Sequence, residues 1–162
     1  MTPNIRPYAK GDYQRVLDIC VAAFAPIHEG FEEQLGRPIF DRRYHAWRQE
    51  YADYLGKIPD SDPDTRVYVV ENEGEVVGFI YAIMQARYQM GEIGLNAVDP
   101  RHQGKGIGKR MYAFVLDDLK KRGAKIAFVG TGADAAHAPA RAAYAGVGFD
   151  RSIPGIYYFR TL

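Results

Sequence analysis

Three alternating glycines, Gly104, Gly106 and Gly108, separate two stretches of different pattern. The stretch before them, 92–98, is mostly apolar and stops at an Asp-Pro pair, which predicts a strand. The stretch after them, 106–122, carries apolar residues four positions apart, which predicts a helix with one buried face. Because glycine adopts backbone conformations that other residues avoid, the junction predicts a sharp strand-to-helix turn.

The segments before this unit predict helices followed by adjacent strands. A short edge strand is expected at 5–7, and Asp12 is placed to cap a helix that Pro26 ends or bends. A second helix is predicted over 40–55, and the composition of 60–64 indicates a loop. Strands are then predicted at 66–70, 75–86 and 90–98.

The segments after the helix add two strands and a short helix. The run 125–130 is apolar throughout, which predicts a strand at the centre of the sheet. Pro139 fits the first turn of a helix that ends near Gly146, and 156–159 predicts a closing strand. The order of elements predicts one mixed α/β (α+β) domain over residues 1–162.

Composition limits the class of protein. The single cysteine, Cys20, excludes an intrachain disulfide, and its place on a helical apolar face indicates a core residue. The 21 basic and 20 acidic residues give a formal net charge of +1, which argues against a nucleic-acid partner. The sequence contains neither a bilayer-spanning apolar run nor the apolar stretch of a signal peptide. We therefore expect a cytoplasmic protein without a membrane partner.

The glycine junction also predicts an anion site. The first N–H groups of a helix have no partner inside the helix, and the helix dipole favours negative charge there. Glycines let a ligand approach this backbone closely, and phosphate suits such a site. Nearby positive charge comes from four residues: Arg101, Lys105, Lys109 and Arg110.

Two well-known glycine loops do not fit the junction. A P-loop requires a lysine followed by serine or threonine, but Lys109 is followed by Arg110. The dinucleotide fingerprint requires its third glycine one residue later than Gly108. A nucleotide-binding module is therefore disfavoured. The glycine pattern alone leaves open a plain turn with a solvated basic face.

The longer string from Glu92 to Gly108 resembles motif A of the GNAT acetyltransferases. That motif is a strand ending in Val-x-Pro, then Arg/Gln-x-x-Gly-x-Gly/Ala at the start of a helix. Gln103, Gly106 and Gly108 occupy its signature positions. Strand, spacing, turn and helix all agree, so the resemblance is specific.

A second segment, 137–149, resembles motif B of the same family, Asn-x-x-Ala-x-x-x-Tyr-x-x-x-Gly-Phe. Ala140, Tyr144, Gly148 and Phe149 match the motif. His137 stands where asparagine is usual, which puts in doubt the hydrogen bond that the asparagine often makes to the pantetheine arm or the substrate.

The resemblance implies a fold and a cosubstrate. It implies a mostly antiparallel sheet, flanked by helices and splayed between the strands at 92–98 and 125–130. The pantetheine arm of acetyl-CoA would lie in the splay, with the pyrophosphate on the turn and no metal. The residues expected to contact the cosubstrate are Ala97, Val98, Gln103, Gly104, Lys105, Gly106, Ile107, Gly108, Lys109, His137 and Tyr144.

The resemblance also implies a reaction, direct acetyl transfer to a primary amine in a ternary complex. The transfer needs a neutral amine, a stabilised oxyanion and a proton for the departing thiolate. Tyr144 is expected to supply that proton, and the N–H of Val98 to stabilise the oxyanion. Glu92 is the candidate base, although it also suits a solvated strand edge. His137 could relay a proton or cap the following helix.

The acceptor pocket is expected between the early helices and the strand ends. Acidic and aromatic groups there would suit a cationic amine, although aromatic residues at helical spacing also suit a core. The residues in this part of the chain are His28, Glu29, Glu32, Glu33, Tyr44, Trp47 and Tyr51. The acceptor could be a small molecule, a peptide N-terminus or a protein lysine.

A non-catalytic alternative is an acyl-CoA-binding sensor. The departure of His137 from motif B is compatible with this alternative. A homodimer is also possible, because members of the superfamily often dimerise.

Overall fold

The computed structural model describes residues 3–58 and 62–162. Five strands form one sheet, in the order in which they occur along the chain. The strands are β1 (Asn4–Pro7), β2 (Thr65–Asn72), β3 (Glu75–Gln85), β4 (Met90–Val98) and β5 (Ile126–Val129). The first four are antiparallel to their neighbours, and β5 joins β4 in parallel. The predicted mixed α/β sheet is confirmed.

Five α-helices flank this sheet. They are α1 (Tyr13–Leu35), α2 (Arg37–Arg43), α3 (Trp47–Gly56), α4 (Ile107–Lys121) and α5 (Ala138–Ala145). On one face, α4 buries its predicted stripe of Ile107, Met111, Val115 and Leu119. On the other face, α1 buries Val16, Ile19 and Cys20 against the sheet, so Cys20 is a core residue as predicted. Burial raises the pKa of the Cys20 thiol to about 12.

The helices before β2 differ from the prediction. Helix α1 continues through Pro26, so the helix does not end at this proline. The single helix expected over 40–55 is divided into α2 and α3, because Tyr44 and Ala46 leave helical geometry at the break. Asp12 precedes α1, but its carboxylate accepts from the N–H of Ala9 and pairs with Arg6 instead of capping α1. The predicted loop at 60–64 lies partly outside the described residues.

The end of the chain corrects two predictions. β5 lies at the edge of the sheet, where Ile126 and Phe128 are 57% and 47% exposed. The closing strand expected at 156–159 is absent, since the described residues 149–162 contain no strand. The two errors share one cause. An unpaired final segment leaves the outer edge of β5 uncovered, so an apolar run that suits a buried strand remains in contact with solvent.

No helix in the described residues is both long enough and apolar enough to span a membrane.

Candidate active site

The sheet opens between β4 and β5. The two strands pair over four positions, from Met90 opposite Ile126 to Ile93 opposite Val129. β5 then ends, while β4 continues from 94 to 98 with no strand beside it on that side. We call this space the gap. The predicted splay is therefore confirmed, and a cavity of about 750 Å³ occupies it.

The turn at 103–108, which we call the glycine turn, lines one end of the gap. Gly104 and Gly106 have φ angles of 75° and 76°, in the left-handed region that favours glycine. Within the described residues, the main-chain N–H groups from Gly104 to Lys109 have no hydrogen-bond acceptor. These donors lie where α4 begins, so the turn offers a row of unpaired N–H groups to an anion.

Asp99 fixes the end of β4 next to the glycine turn. Its buried carboxylate accepts hydrogen bonds from the side chains of Arg15 and Arg101 and from the N–H of Arg101. Hydrogen bonds from Arg101, and then from Arg15, outweigh burial and hold the pKa of Asp99 far below its usual value. Arg101 also pairs with Glu75. The charge of Arg101 is therefore paired with carboxylates of the protein, whereas Lys105 and Lys109 remain exposed beside the turn.

Gln103 joins the glycine turn to the gap. Its side-chain amide donates to the carbonyl oxygen of Val98, at 3.0 Å. Ala97 and Val98, the residues expected to bond the pantetheine arm, both line the cavity, and Ala97 is buried against the α1 side of the sheet.

A β-bulge in β4 decides which side chains face which helix. Ile80 lies opposite Asn96, but Ala82 lies opposite Ile93, so β4 contains one extra residue in this interval. As a result Ile93 and Asn96, three positions apart, both face α4. Leu95 belongs instead to the core on the α1 side. The side chains beside the gap therefore differ between the α4 side and the α1 side of the sheet.

Tyr144 lies on the α4 side in a three-residue network. The phenol of Tyr144 accepts from the side-chain amide of Asn96 at 3.4 Å. The phenol of Tyr112 donates to the other end of that amide at 2.9 Å, and the rings of Tyr112 and Tyr144 are 4.7 Å apart. Asn96 therefore holds the phenol oxygen of Tyr144 where this residue lines the cavity. Asn96 and Tyr112 could not be found from the sequence, because the contact joins three distant segments.

Glu92 lines the same cavity on the α1 side of the sheet, opposite Ile83. Its carboxylate accepts from the side-chain amide of Gln85 at 2.7 Å. A strand rises about 3.3 Å per residue, which separates Glu92 from Asn96 by on the order of 10 Å. The two predicted catalytic residues, Glu92 and Tyr144, therefore line one cavity without sharing a contact.

His137 is paired with Asp134. The Nδ1 atom of His137 lies 2.6 Å from the Asp134 carboxylate, which also accepts the N–H of His137. The side chain of His137 makes no cap to α5, so the capping alternative is wrong. A Cβ on Gly132 would collide with the Asp134 carboxylate and with Nδ1 of His137, so the pair needs a glycine there. Asp134 could have been found as an acidic residue just before a helix start.

A second cavity, of about 460 Å³, adjoins the first. Of the residues expected around the acceptor, His28, Tyr44, Trp47 and Tyr51 line this cavity, whereas Glu29, Glu32 and Glu33 do not. Five residues line both cavities: Phe24, Ile27, Tyr54, Leu95 and His137. A ligand in the second cavity can therefore reach the gap.

A sheet opened beside a helix whose first N–H groups are free defines the class of acyl-CoA-dependent acyltransferases. The chain belongs to the acetyltransferase (GNAT) family, whose sequence profile matches residues 26–149. This match confirms the predicted family. The predicted acetyltransferase class is confirmed at the level of the family.

Individual relatives agree with this assignment. The chain is 34% identical over 101 residues to the mycothiol acetyltransferase of Streptomyces bingchenggensis, covering 62% of this chain and 32% of that protein. It is 28% identical over 156 residues to the mycothiol acetyltransferase of Kocuria rhizophila, covering 91% of this chain and 46% of that protein. The chain therefore spans less than half the length of either relative.

The fold matches solved structures of lower identity. The PaiA N-acetyltransferase of Thermoplasma acidophilum in complex with coenzyme A superposes with a TM-score of 0.69 and 16% identity, over 93% of this chain and 91% of that chain. This likeness confirms the fold class. The described residues also contain no group of three or more histidine, cysteine or acidic side chains arranged to hold a metal.

Proposed function

We propose that residues 1–162 form one acetyltransferase domain that transfers the acetyl group of acetyl-CoA directly to a primary amine in a ternary complex. The row of unpaired N–H groups from Gly104 to Lys109 carries this proposal. Every helix start leaves such N–H groups free, and here the glycines open them to the mouth of a large cavity. A pyrophosphate accepts several hydrogen bonds at once and carries the charge that the start of α4 favours.

The residues of the gap suit the rest of the cosubstrate. The glycine turn, with Lys105 and Lys109, would hold the pyrophosphate. The edge of β4 at Ala97 and Val98 would bond the pantetheine arm, and His137 and Tyr144 would flank it. Bound acetyl-CoA supplies a thioester carbonyl carbon that an amine can attack. The N–H of Val98 is the proposed donor to the oxyanion.

Tyr144 is the proposed acid. The hydrogen bond that it accepts from Asn96 supports this role, because the hydrogen bond holds the phenol oxygen at the cavity wall. A phenol is protonated at neutral pH and can donate to a thiolate. The contact of Tyr112 with both Asn96 and the Tyr144 ring supports the same orientation.

Two groups are proposed as alternative acceptors of the amine proton. Glu92 lies on the α1 side of β4, where the amine acceptor is expected. Because Glu92 is distant from Asn96, a water molecule would relay the amine proton to it. His137 lies at the junction of the two cavities. Its Nδ1 is held by Asp134, so Nε2 would be left with its lone pair for the substrate. The observation that favours His137 is this orienting carboxylate.

Thiol release from acetyl-CoA over a panel of amines tests the proposal, with thermal unfolding measured in parallel. Coenzyme A at about 100 times its dissociation constant should stabilise the fold by about 2.7 kcal/mol, which raises the melting temperature by about 5–10 °C. At least one amine should release thiol. If coenzyme A stabilises the fold but no amine releases thiol, the acyl-CoA sensor is the better description. An unchanged melting temperature would contradict both.

A location and a set of partners are also proposed. The net charge of +1 argues against a nucleic-acid partner. A cytoplasmic protein without a membrane partner is proposed because the sequence contains no apolar run that could span a bilayer. A homodimer is supported by the exposed apolar side chains of Ile156, Tyr157 and Tyr158, because soluble monomers seldom leave such a run in water. Light scattering coupled to gel filtration would measure the mass, and a monomer at all concentrations would exclude the dimer.

A further inference from the structure

The second cavity has walls that are mostly aromatic, completed by Ile27, Arg43, Glu50 and Leu95, and we call it the aromatic pocket. α1 contributes Phe24 and Phe31, and α3 contributes Trp47, Tyr51 and Tyr54. Tyr44 joins them from the break between α2 and α3. Core aromatic residues normally pack against each other without leaving space. Here they surround about 460 Å³ that opens toward the gap.

His28 lies at the centre of these rings. It stacks on Trp47 with centroids 4.2 Å apart and an interplanar angle of 6°. Tyr44 and Tyr51 meet it edge-on, each at 5.9 Å. The break between α2 and α3 makes this possible, because it lets Tyr44 and Trp47 approach the same ring. His28 therefore has a fixed position in the pocket wall.

Both ring nitrogens of His28 are buried and have no hydrogen-bond partner among the described residues, and the side chain is only 6% exposed. An unsatisfied buried polar group destabilises the folded protein. Burial, together with Arg48 and Arg43, lowers the pKa of His28 to about 4. The ring is therefore neutral at pH 7, with one N–H donor and one acceptor nitrogen. His28 lines the aromatic pocket, so a ligand that shifts the packed rings can bring a hydroxyl group to either nitrogen.

The charges around the pocket exclude a second cation. The guanidinium groups of Arg43 and Arg48 lie over the rings of Tyr44 and Trp47, at 4.6 Å and 4.2 Å. Glu50 is the only carboxylate among the residues that line the aromatic pocket, and Arg43 lies 3.9 Å from it. A polyamine or an amino sugar with several amino groups would meet positive charge and few acceptors. A flat apolar body would instead meet ring faces and edges.

We propose that the acceptor is an arylalkylamine: one primary amino group on a short alkyl arm, attached to a hydroxylated aromatic ring that enters the aromatic pocket. This inference rests on the acetyl transfer proposed above. The ring hydroxyl pairs with His28, and the arm passes the shared residues Phe24 and Leu95 into the gap. There the amine nitrogen bonds to the acyl carbon and the carbon–sulfur bond breaks. The sulfur receives a proton from Tyr144, while the amine proton goes to the base.

The amine panel that tests this acceptor contains tyramine, phenethylamine, spermidine and glucosamine, with kcat/KM measured by thiol release. Tyramine should exceed spermidine and glucosamine by about 100-fold or more, since the polar amines lose ring contacts worth about 3 kcal/mol. Tyramine should exceed phenethylamine by about tenfold, since one hydrogen bond to a buried partner is worth about 1.4 kcal/mol.

His28→Phe separates the hydrogen bond from the shape of the pocket. The variant keeps an aromatic ring and removes two unpaired nitrogens. The ratio of kcat/KM for tyramine to that for phenethylamine should fall from about ten to about one. Tyr88→Phe is a matched control, because Tyr88 is exposed and lies outside both cavities. It should leave the ratio unchanged.

The outcomes distinguish this inference from the proposed function. Equal or better use of spermidine or glucosamine would overturn the arylalkylamine acceptor and leave acetyl transfer intact. An unchanged ratio in His28→Phe would overturn the role of His28. Failure of every amine to release thiol, despite stabilisation by coenzyme A, would overturn the proposed function itself. If His28→Phe does not fold, the ranking of the four amines by the parent protein decides the acceptor class.

Discussion

A glutamate at position 106 would bring a carboxylate to the unpaired N–H groups of the glycine turn. The φ angle of Gly106 is 76°, and an L-residue in this region costs about 1–2 kcal/mol. A Cβ on Gly106 meets no atom within 4 Å, so backbone strain is the main cost to the fold. We expect the melting temperature of Gly106→Glu to fall by about 2–8 °C.

The affinity for coenzyme A should fall more steeply than the stability. A carboxylate about 5 Å from a phosphate charge is repelled by roughly 3 kcal/mol at an effective dielectric constant of about 20. Solvent at this exposed turn reduces the repulsion to about 1.4–2.7 kcal/mol, which corresponds to a rise in Kd of about 10–100-fold. Isothermal titration calorimetry with coenzyme A measures this change directly.

Two control variants separate strain from charge. Gly106→Ala has the same strain without the carboxylate, and its Kd should rise much less. Gly123, just beyond the other end of α4, has a φ angle of 100°, no atom within 4 Å of a built Cβ, and no place in the cavity lining. Gly123→Ala should lose comparable stability and bind coenzyme A as the parent does. If Gly106→Glu binds coenzyme A with the parent Kd, the glycine turn is not the anion site.

Three further predictions concern the other groups of the site. Tyr144→Phe should lower kcat by about 100-fold or more while changing the Kd of coenzyme A by less than about threefold; an unchanged kcat would remove Tyr144 from the mechanism. The pH profile of kcat/KM should be measured for Glu92→Gln and for His137→Asn. Only the variant that lacks the true base should lose the rise of kcat/KM with pH. If both profiles match that of the parent protein, neither residue is the base. The depressed pKa of Asp99 gives a stabilising contribution that is complete above the unfolded value of about 3.9 and is lost as pH falls toward the folded value. Asp99→Asn should therefore cost about 3 kcal/mol at pH 7 and about 1.2 kcal/mol less at pH 3, which lies about 0.9 pH units below the unfolded value, measured by urea unfolding; equal losses at both values would contradict this.

The strand–turn–helix unit could be predicted because its determinants are local. Gly106 needs a left-handed backbone, and the stripe from Ile107 to Leu119 needs a helix, whatever the rest of the chain does. The Asn96–Tyr144 contact could not be predicted, because it joins residues 48 positions apart and depends on a β-bulge that no residue pattern indicated.

The wrong predictions concern features that depend on contacts with other segments of the chain, and not on the strand or helix propensity of the segment itself. The segment 156–159 has a strong strand propensity, but a strand exists only where another strand pairs with it. The apolar character of β5 predicted burial on both sides, yet burial depends on what lies beyond its outer edge. The helix predicted over 40–55 kept its apolar spacing across Tyr44, while the backbone changed direction there. A pattern of apolar spacing cannot predict such a break between two helices.

The missing side chain of Gly132 has an evolutionary consequence. A methyl group there would collide with two side-chain ends, those of Asp134 and His137, which can rotate away at little cost to the backbone. Mutation at this position would therefore separate the acid–imidazole pair while sparing the domain as a whole. Among homologous chains, glycine at 132 should be inherited together with the pair. Lineages that have exchanged His137 for asparagine should be free to accept larger residues there.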